Sequence, residues 1–370
     1  MKIITHFFKT FFPYTQGGLE EAIRQIGKYS NACGFETRVV CQAHENSYSV
    51  VDGIHAYAFK SCFGHESAPF SLQLIKEYKK FIQETDIIQI HYPSTCDELY
   101  FSLIGLKKPV VITFHCAINK WNVLRKIYEP FAKRLFSKAT VIVPTSQNLL
   151  DSSLILQNYR EKCEVINLWI DESRFQGGDE IDNEFIAKVN GLKRYTLFIG
   201  VLRWYKGLHV LLDASKSING SILIVGEGPM FDELAVRIKK ENLVNVHLLG
   251  FQPECNLKYL IQNSSCLVLP SVSPSEAFGQ VLLESSFYGK PMVSTELGTG
   301  TSFVNLNNVT GYVVSPNDSY GLHSKINSLF ANKNLREEFG KNARKRLQSN
   351  FTAHIQGQRY VDLYNRLLNS

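Results

Sequence analysis

The sequence predicts an α/β protein made of two doubly wound, parallel-sheet domains, and three observations lead there. Short apolar runs of strand length alternate with segments of helical periodicity along nearly the whole chain. The rhythm lapses once, over 173–194, where Gly177-Gly178 and a cluster of acidic residues mark a surface connection. The 370 residues also suffice for two cores, at about 100–200 residues per domain.

Taken in order, the first half reads as strands near Lys2–Phe7, Thr37–Cys41, Ile87–His91, Val110–Phe114, Val141–Pro144 and Cys163–Ile166. Helices are expected near Gly18–Cys33, Ser71–Glu84, Trp121–Phe136 and Gln147–Leu154. After the connection, strands are expected at Tyr195–Gly200, Ser221–Gly226, Asn245–Gly250, Cys266–Pro270 and Pro291–Thr295. Helices separate them, near Leu208–Ser217, Met230–Glu241, Cys255–Asn263, Gln280–Tyr288 and Ser319–Ala331. Two such domains facing one another place a ligand cleft at the carboxyl ends of their strands. The expected domains are 1–172 and 195–348, joined through 173–194.

Composition excludes several classes. No apolar run approaches the roughly 20 residues that span a bilayer, and the start Met1–Phe8 reads as a strand rather than a signal peptide. Eight scattered cysteines without a C-x-x-C pair fit reduced thiols, not a disulfide framework or a zinc site. A cytoplasmic protein is expected. The net charge of +6 comes without a recognition motif, so nucleic acid is not an expected partner. Within 119–138, Lys120, Arg125, Lys126, Lys133, Arg134 and Lys138 alternate with Trp121, Leu124, Ile127, Tyr128, Phe131 and Leu135. Such a helix can lie peripherally on an anionic membrane face. It can equally be a helix packed on a sheet, kinked or interrupted at Pro130.

The chemistry-bearing residues fall at strand ends. Glu276 and Glu284 stand eight residues apart, the first closing a Ser/Pro-rich loop after a strand and the second on the helix that follows. The backbone around Phe278-Gly279-Gln280 then opens a helix whose free N–H groups suit a phosphate, and the flanking carboxylates can accept sugar hydroxyls. Arg203 and Lys206 place two cations where a diphosphate can lie. Gly17-Gly18 opens a helix after the first strand, and Glu227 lies in a Gly226-Glu227-Gly228 turn; for both, a plain structural turn is an equal reading. His115 ends the strand Val110–Phe114, with His91 as a second candidate at the end of its neighbour. No D-x-D occurs, so neither a metal nor another cofactor is expected.

Five segments in this order, Gly17-Gly18, Thr113-Phe114-His115, Tyr205-Lys206-Gly207, Val225-Gly226-Glu227-Gly228-Pro229 and Glu276-x7-Glu284, resemble the retaining glycosyltransferases of family 4, which have the GT-B fold. Glu296–Ser302, Thr310-Gly311-Tyr312 and the terminal segment 351–368 extend the likeness over nearly the whole chain. The resemblance implies a C-terminal helix, within 349–370, that crosses back to the first domain. It implies that Glu276 contacts donor-sugar hydroxyls, Glu284 the ribose, and His115 the reacting sugar. The diphosphate falls to Arg203, Lys206, the Gly17-Gly18 loop and the backbone of Phe278, Gly279 and Gln280. Many members carry arginine directly after the glycine matched by Gly200; here Val201 stands there, and Arg203 is given that role.

The implied reaction is metal-independent transfer of a hexose with retention, from a nucleotide-sugar donor to a polyprenyl-diphosphate-linked glycan of an O-antigen, capsule or exopolysaccharide pathway. GDP-mannose is the first expectation for the donor, ahead of a UDP-hexose or UDP-N-acetylhexosamine. A nucleotide-sugar epimerase and a non-catalytic sugar-nucleotide-binding subunit of the same fold are the alternatives.

Overall fold

The computed structural model describes residues 1–65, 68–116, 122–175, 181–192 and 194–370, without the side chains of 63–65, 68 and 122–128. The chain forms two units, Met1–Trp169 together with Ala353–Ser370, and Ile170–Thr352. Gly177-Gly178, Lys120 and Trp121, named above, lie outside the described residues, as do the side chains of Leu124, Arg125, Lys126, Ile127 and Tyr128.

The first unit runs β1 (Lys2–Phe7), α1 (Gly18–Ala32), β2 (Phe35–Ala43), β3 (Ser47–Val51), β4 (Ile54–Lys60), β5 (Phe63–His65), β6 (Ala68–Phe70), α2 (Leu72–Glu84), β7 (Ile87–Tyr92), α3 (Thr95–Leu103), β8 (Val110–Phe114), α4 (Asn122–Lys138), β9 (Val141–Pro144), α5 (Gln147–Ser152) and α6 (Leu154–Gln157). Its main sheet has the order β3-β4-β2-β1-β7-β8-β9. All pairs are parallel except β3 with β4. Every residue of β7 and β8 is buried, the polar Gln89, His91 and Thr113 included, as central strands of a sheet covered on both faces are.

Two departures from the sequence expectation have local causes. Cys163–Ile166 is not a strand; only the bridge Ile142↔Cys163 forms. The segment donates from Glu164 N to Ile142 O (2.9 Å) and from Ile166 N to Pro144 O (3.2 Å). Pro144 has no N–H to return, so the ladder stops. The unexpected hairpin β3–β4 turns on Asp52 and Gly53, both at positive φ (50° and 78°). That is the conformation a tight two-residue hairpin turn requires.

Pro130 lies inside α4, which continues through it from Asn122 to Lys138. Among the described side chains Ala132, Leu135 and Phe136 are buried in the first unit's core. Lys138 Nζ donates to the carbonyls of Phe101, Ser102 and Ile104 at the end of α3, at 3.2, 2.5 and 2.6 Å. That cation therefore satisfies orphan helix carbonyls. Lys133 pairs with Glu129 at 2.7 Å. Among the described residues no helix is long and apolar enough to cross a membrane.

The second unit runs α7 (Asn183–Asn190), β10 (Tyr195–Ile199), α8 (Leu208–Ser215), β11 (Ser221–Val225), α9 (Phe231–Lys240), β12 (Val246–Gly250), α10 (Glu254–Asn263), β13 (Cys266–Leu269), α11 (Gln280–Phe287), β14 (Met292–Thr295), α12 (Gly300–Val304), β15 (Gly311–Val314), α13 (Ser319–Ala331) and α14 (Lys333–Asn350). Its sheet is parallel throughout, in the order β12-β11-β10-β13-β14-β15. The stretch expected as a surface connection contributes α7 to this unit. Val189 is buried there against Tyr195, Leu197 and Leu260, because its apolar stripe matches the open face of β10.

The chain ends in α15 (Gln358–Leu368), which belongs to the first unit. Tyr360, Val361, Leu363, Tyr364 and Leu367 are buried. Tyr364 Oη donates to Gln89 Oε1 (3.1 Å), and Tyr360 Oη shares a hydrogen bond with Thr113 Oγ1 (3.2 Å). Both partners sit on the central strands β7 and β8.

Candidate active site

Three loops at the carboxyl ends of β10, β11 and β13 carry the candidate site residues of the second unit. The loop after β10 makes a 3-10 turn at Trp204–Lys206 and then Gly207, in the left-handed region at φ 70°, ψ 24°. A Cβ on Gly207 would stand 1.9 Å from the Pro270 carbonyl oxygen, so the loop presses on the chain leaving β13. Val272 N donates to Tyr205 O at 2.8 Å across the same junction.

This approach brings together two residues that the sequence separates by 70 positions. Lys206 Nζ lies 2.5 Å from Glu276 Oε2, with side-chain exposures of 13% and 9%. Ser271 Oγ donates to the same oxygen at 3.1 Å. The loop is fixed by Glu276 N donating to Ser273 O (3.0 Å) and by Thr299 Oγ1 donating to Glu276 O (2.8 Å). Burial pushes the Lys206 ammonium down, but the Glu276 carboxylate outweighs it and leaves the pKa above the usual lysine value. The lysine is thus held as a cation and the carboxylate is locked in place.

Gly207→Ala should cost about 1–3 kcal/mol from its backbone region alone, and more from the clash with Pro270. The displaced loop carries Lys206, so the Lys206–Glu276 contact should loosen with it. Thermal denaturation of the purified variant, with and without Glu276→Gln, checks both effects.

The helix α11 begins beside Glu276. Its cap, Gly279, is left-handed (φ 76°, ψ 59°), and no side chain caps the helix. The first-turn N–H groups therefore lack the usual side-chain acceptor, as an anion site requires. Gln280 Nε2 is buried with no hydrogen-bond partner among the described residues. Phe278 is turned inward, 2% exposed, and packs edge-on against Phe351, so this residue offers its backbone and not its ring. Gly300 allows that, since a Cβ there would meet the Phe278 ring at 2.5 Å. Glu284 is half-buried on the same helical face as Gln280, one turn further on.

The glycines of the neighbouring loops serve backbone packing. A Cβ on Gly226 would lie 2.1 Å from Gly200 O, and one on Gly228 would lie 2.7 Å from Leu202 N. Leu202 N donates to Glu227 O at 2.8 Å, while the Glu227 side chain is exposed. Arg203 and Val201 are both exposed on the loop after β10.

The first unit carries a separate group. His115 follows β8, and its Nε2 lies 3.0 Å from His91 Nδ1; His91 Nε2 lies 2.8 Å from His6 Nδ1. The rings lie edge to edge and nearly coplanar, with centroids 5.3 and 5.1 Å apart and planes 21° and 17° from parallel, and all three residues have zero exposure. Burial pushes His6 and His115 down to about 3 and His91 well below its usual value, so the rings are neutral near pH 7. Gly17 and Gly18 open α1 as expected, but the Glu20 carboxylate folds over them. It accepts from Thr10 Oγ1 (2.7 Å) and Thr15 Oγ1 (3.0 Å), and a Cβ on Gly17 would meet it at 2.8 Å. A phosphate at this helix end would share it with that negative charge.

Among the described residues, no three His, Cys, Asp or Glu side chains converge as a metal site. The sequence reading missed Ser271 and Thr299, which carry only ordinary loop signals. It also missed His6, whose one signal is a histidine inside the apolar run of β1.

Comparison with known proteins identifies the relatives of this arrangement. Residues 16–174 match the family described as Glycosyltransferase Family 4, and residues 179–346 match Glycosyl transferases group 1. The chain is 36% identical to D-rhamnosyltransferase WbpZ of Pseudomonas aeruginosa, over 95% of this chain and 92% of that one. It is 33% identical to O-antigen chain mannosyltransferase C of Escherichia coli, over 99% of both. The structure of Anabaena Alr3699/HepE in complex with UDP-glucose superposes with a TM-score of 0.79 at 18% identity, covering 99% of this chain and 100% of that one. The fold is GT-B.

Proposed function

This chain belongs to the glycosyltransferases of family 4 and group 1, and on that footing we propose that it transfers a hexose, α-mannose from GDP-mannose, with retention to a lipid-linked oligosaccharide of O-antigen or related polysaccharide synthesis. The observation that carries the reading is the Lys206–Glu276 pair beside the side-chain-free N-terminus of α11. Glu276, fixed by Lys206 and Ser271, keeps its other carboxylate oxygen for donor-sugar hydroxyls. Glu284 accepts from the ribose, and the backbone of Phe278, Gly279 and Gln280 holds the diphosphate.

Arg203, exposed, and Lys206, a fixed cation, meet the negative charge that grows on the departing phosphate. In this reading the two cations do the work a metal would do, and transfer needs none. The glycosidic bond of the donor breaks toward an oxocarbenium-like sugar. The acceptor hydroxyl then adds from the face the phosphate leaves and gives its proton to that departing phosphate, so an α-linked donor gives an α-linked product. His115 orients a sugar hydroxyl as a neutral imidazole. Gly17-Gly18 and Glu227 are assigned to the donor as lesser contacts.

The manno preference draws support from the relatives. One is named a mannosyltransferase and the other a D-rhamnosyltransferase, and D-rhamnose is 6-deoxy-D-mannose. A UDP-sugar donor is the second reading, favoured by the UDP-glucose bound in the Anabaena structure. The lipid-linked acceptor, and with it peripheral contact at the inner membrane through 119–138, rests on the O-antigen relative. In the described half of α4 the basic side chains left exposed are Lys133 and Arg134.

A panel of nucleotide sugars, offered with a polyprenyl-diphosphate glycan and with or without EDTA, tests this directly. GDP-mannose should release GDP only when acceptor is present, at a rate that EDTA leaves unchanged. Donor turnover without acceptor would point instead to an epimerase or hydrolase, and loss of activity with EDTA would remove the metal-independent mechanism.

A further inference from the structure

The three histidines of the first unit, joined edge to edge in a row, have a property that none of them has alone. We propose that His6, His91 and His115 form one tautomer-coupled unit, in which His6 and His91 are positioning residues that decide whether the outer Nδ1 of His115 donates or accepts a hydrogen bond. Its functional weight rests on the transferase reading, in which His115 meets a sugar hydroxyl.

The coupling follows from counting protons. A neutral imidazole carries one N–H and one lone pair. The two inner contacts join Nδ1 of His6 to Nε2 of His91 at 2.8 Å and Nδ1 of His91 to Nε2 of His115 at 3.0 Å. If His6 donates from Nδ1, His91 must accept at Nε2, carry its proton on Nδ1, and donate to His115 Nε2. His115 then also carries its proton on Nδ1. If His115 donates from Nε2 instead, all three rings carry the proton on Nε2. Any mixed arrangement sets N–H against N–H, or lone pair against lone pair, in a site with no exposure to water.

The unit therefore has two states, and both ends read the same one. The end atoms, His6 Nε2 and His115 Nδ1, are buried without a hydrogen-bond partner among the described residues. Whatever occupies the His6 end biases the His115 end, across two strands and without a change of charge. Burial supports this by keeping every ring neutral. A histidine whose second nitrogen is held has its tautomer fixed by that partner; here the partner is another histidine, itself fixed by a third.

The 370-residue chain labelled with 15N-histidine tests the proposal through long-range proton–nitrogen correlations, which report the protonated nitrogen of each ring. The wild-type chain near neutral pH should show the three rings neutral and in one common tautomer. His6→Phe should shift the ring nitrogens of His115, although the two residues do not touch. Both His6→Phe and His91→Phe should lower transfer kcat by about 10²-fold, with donor KM and nucleotide affinity held within about twofold.

Mixed tautomers or an imidazolium in the wild-type spectrum would overturn the proposal, and so would an unmoved His115 signal in His6→Phe. Should the variants fail to fold, the wild-type spectrum alone decides it. If the chain transfers no sugar, the transferase reading falls while the common tautomer is still decided.

Discussion

Glu276→Ala is expected to reduce sugar transfer by at least about 10²–10³-fold, the scale set by losing one preorganised group that positions and stabilises the reacting substrate. It should also destabilise the second unit by about 3–5 kcal/mol, because it leaves the Lys206 ammonium buried without its counter-charge. The two effects separate in the double variant Lys206→Met with Glu276→Leu. Removing both charges there should restore most of the lost stability and none of the activity. Chemical denaturation of the three proteins alongside a transfer assay checks this, and a double variant as unstable as the single one would show that the pair is not the relevant contact.

The same pair sets an alkaline limit. Lys206 has a folded pKa above its ordinary 10.5, so its contribution to stability is complete below that value and is lost as pH rises through the higher, folded one. Loss of this contribution in mildly acidic solution would contradict the assignment.

Truncation after Thr352 should unfold the first unit. The deleted segment carries five buried side chains of α15, together with Gln356, whose Oε1 accepts from Asn167 N at 3.0 Å. At about 1.5–3 kcal/mol for each buried side chain, the loss rivals the whole stability of an ordinary domain, about 5–15 kcal/mol. The second unit contains none of these residues and should keep the nucleotide affinity proposed for it. Limited proteolysis and nucleotide titration of the truncated chain would show the division, and an intact, protease-resistant first unit would refute it.

Much of the fold was legible because its strands are buried on both faces and its helices on one. Val110–Phe114, Val141–Pro144 and Ser319–Ala331 lie where the apolar pattern puts them, to the residue. What escaped depended on partners distant in sequence or on a few backbone angles. The hairpin at Asp52-Gly53 shows in sequence only as its turn, because no residue of β3 is buried and the strand carries no apolar run. The strand expected at Cys163–Ile166 fails on one missing N–H at Pro144. β15 and α14 follow a stretch of weak periodicity.

The site divides similarly. Glu276, Lys206, Gly279 and His115 were visible as motifs at strand ends. That Lys206 and Glu276 share one hydrogen bond was not, since 70 residues separate them and the close approach of Gly207 to Pro270, with Val272 N donating to Tyr205 O, brings them together. His6 was hidden in an apolar strand, where a histidine reads as core.

This chain, as the proposed transferase, grips its donor sugar through Glu276. The most direct test incubates it with GDP-mannose and a polyprenyl-diphosphate glycan, and follows the acceptor by mass spectrometry and anomeric NMR, beside Glu276→Ala. The expected result is an acceptor one hexose heavier, α-linked, with the variant leaving the acceptor unchanged. An unmodified acceptor with every nucleotide sugar, or equal product from wild type and Glu276→Ala, would contradict it.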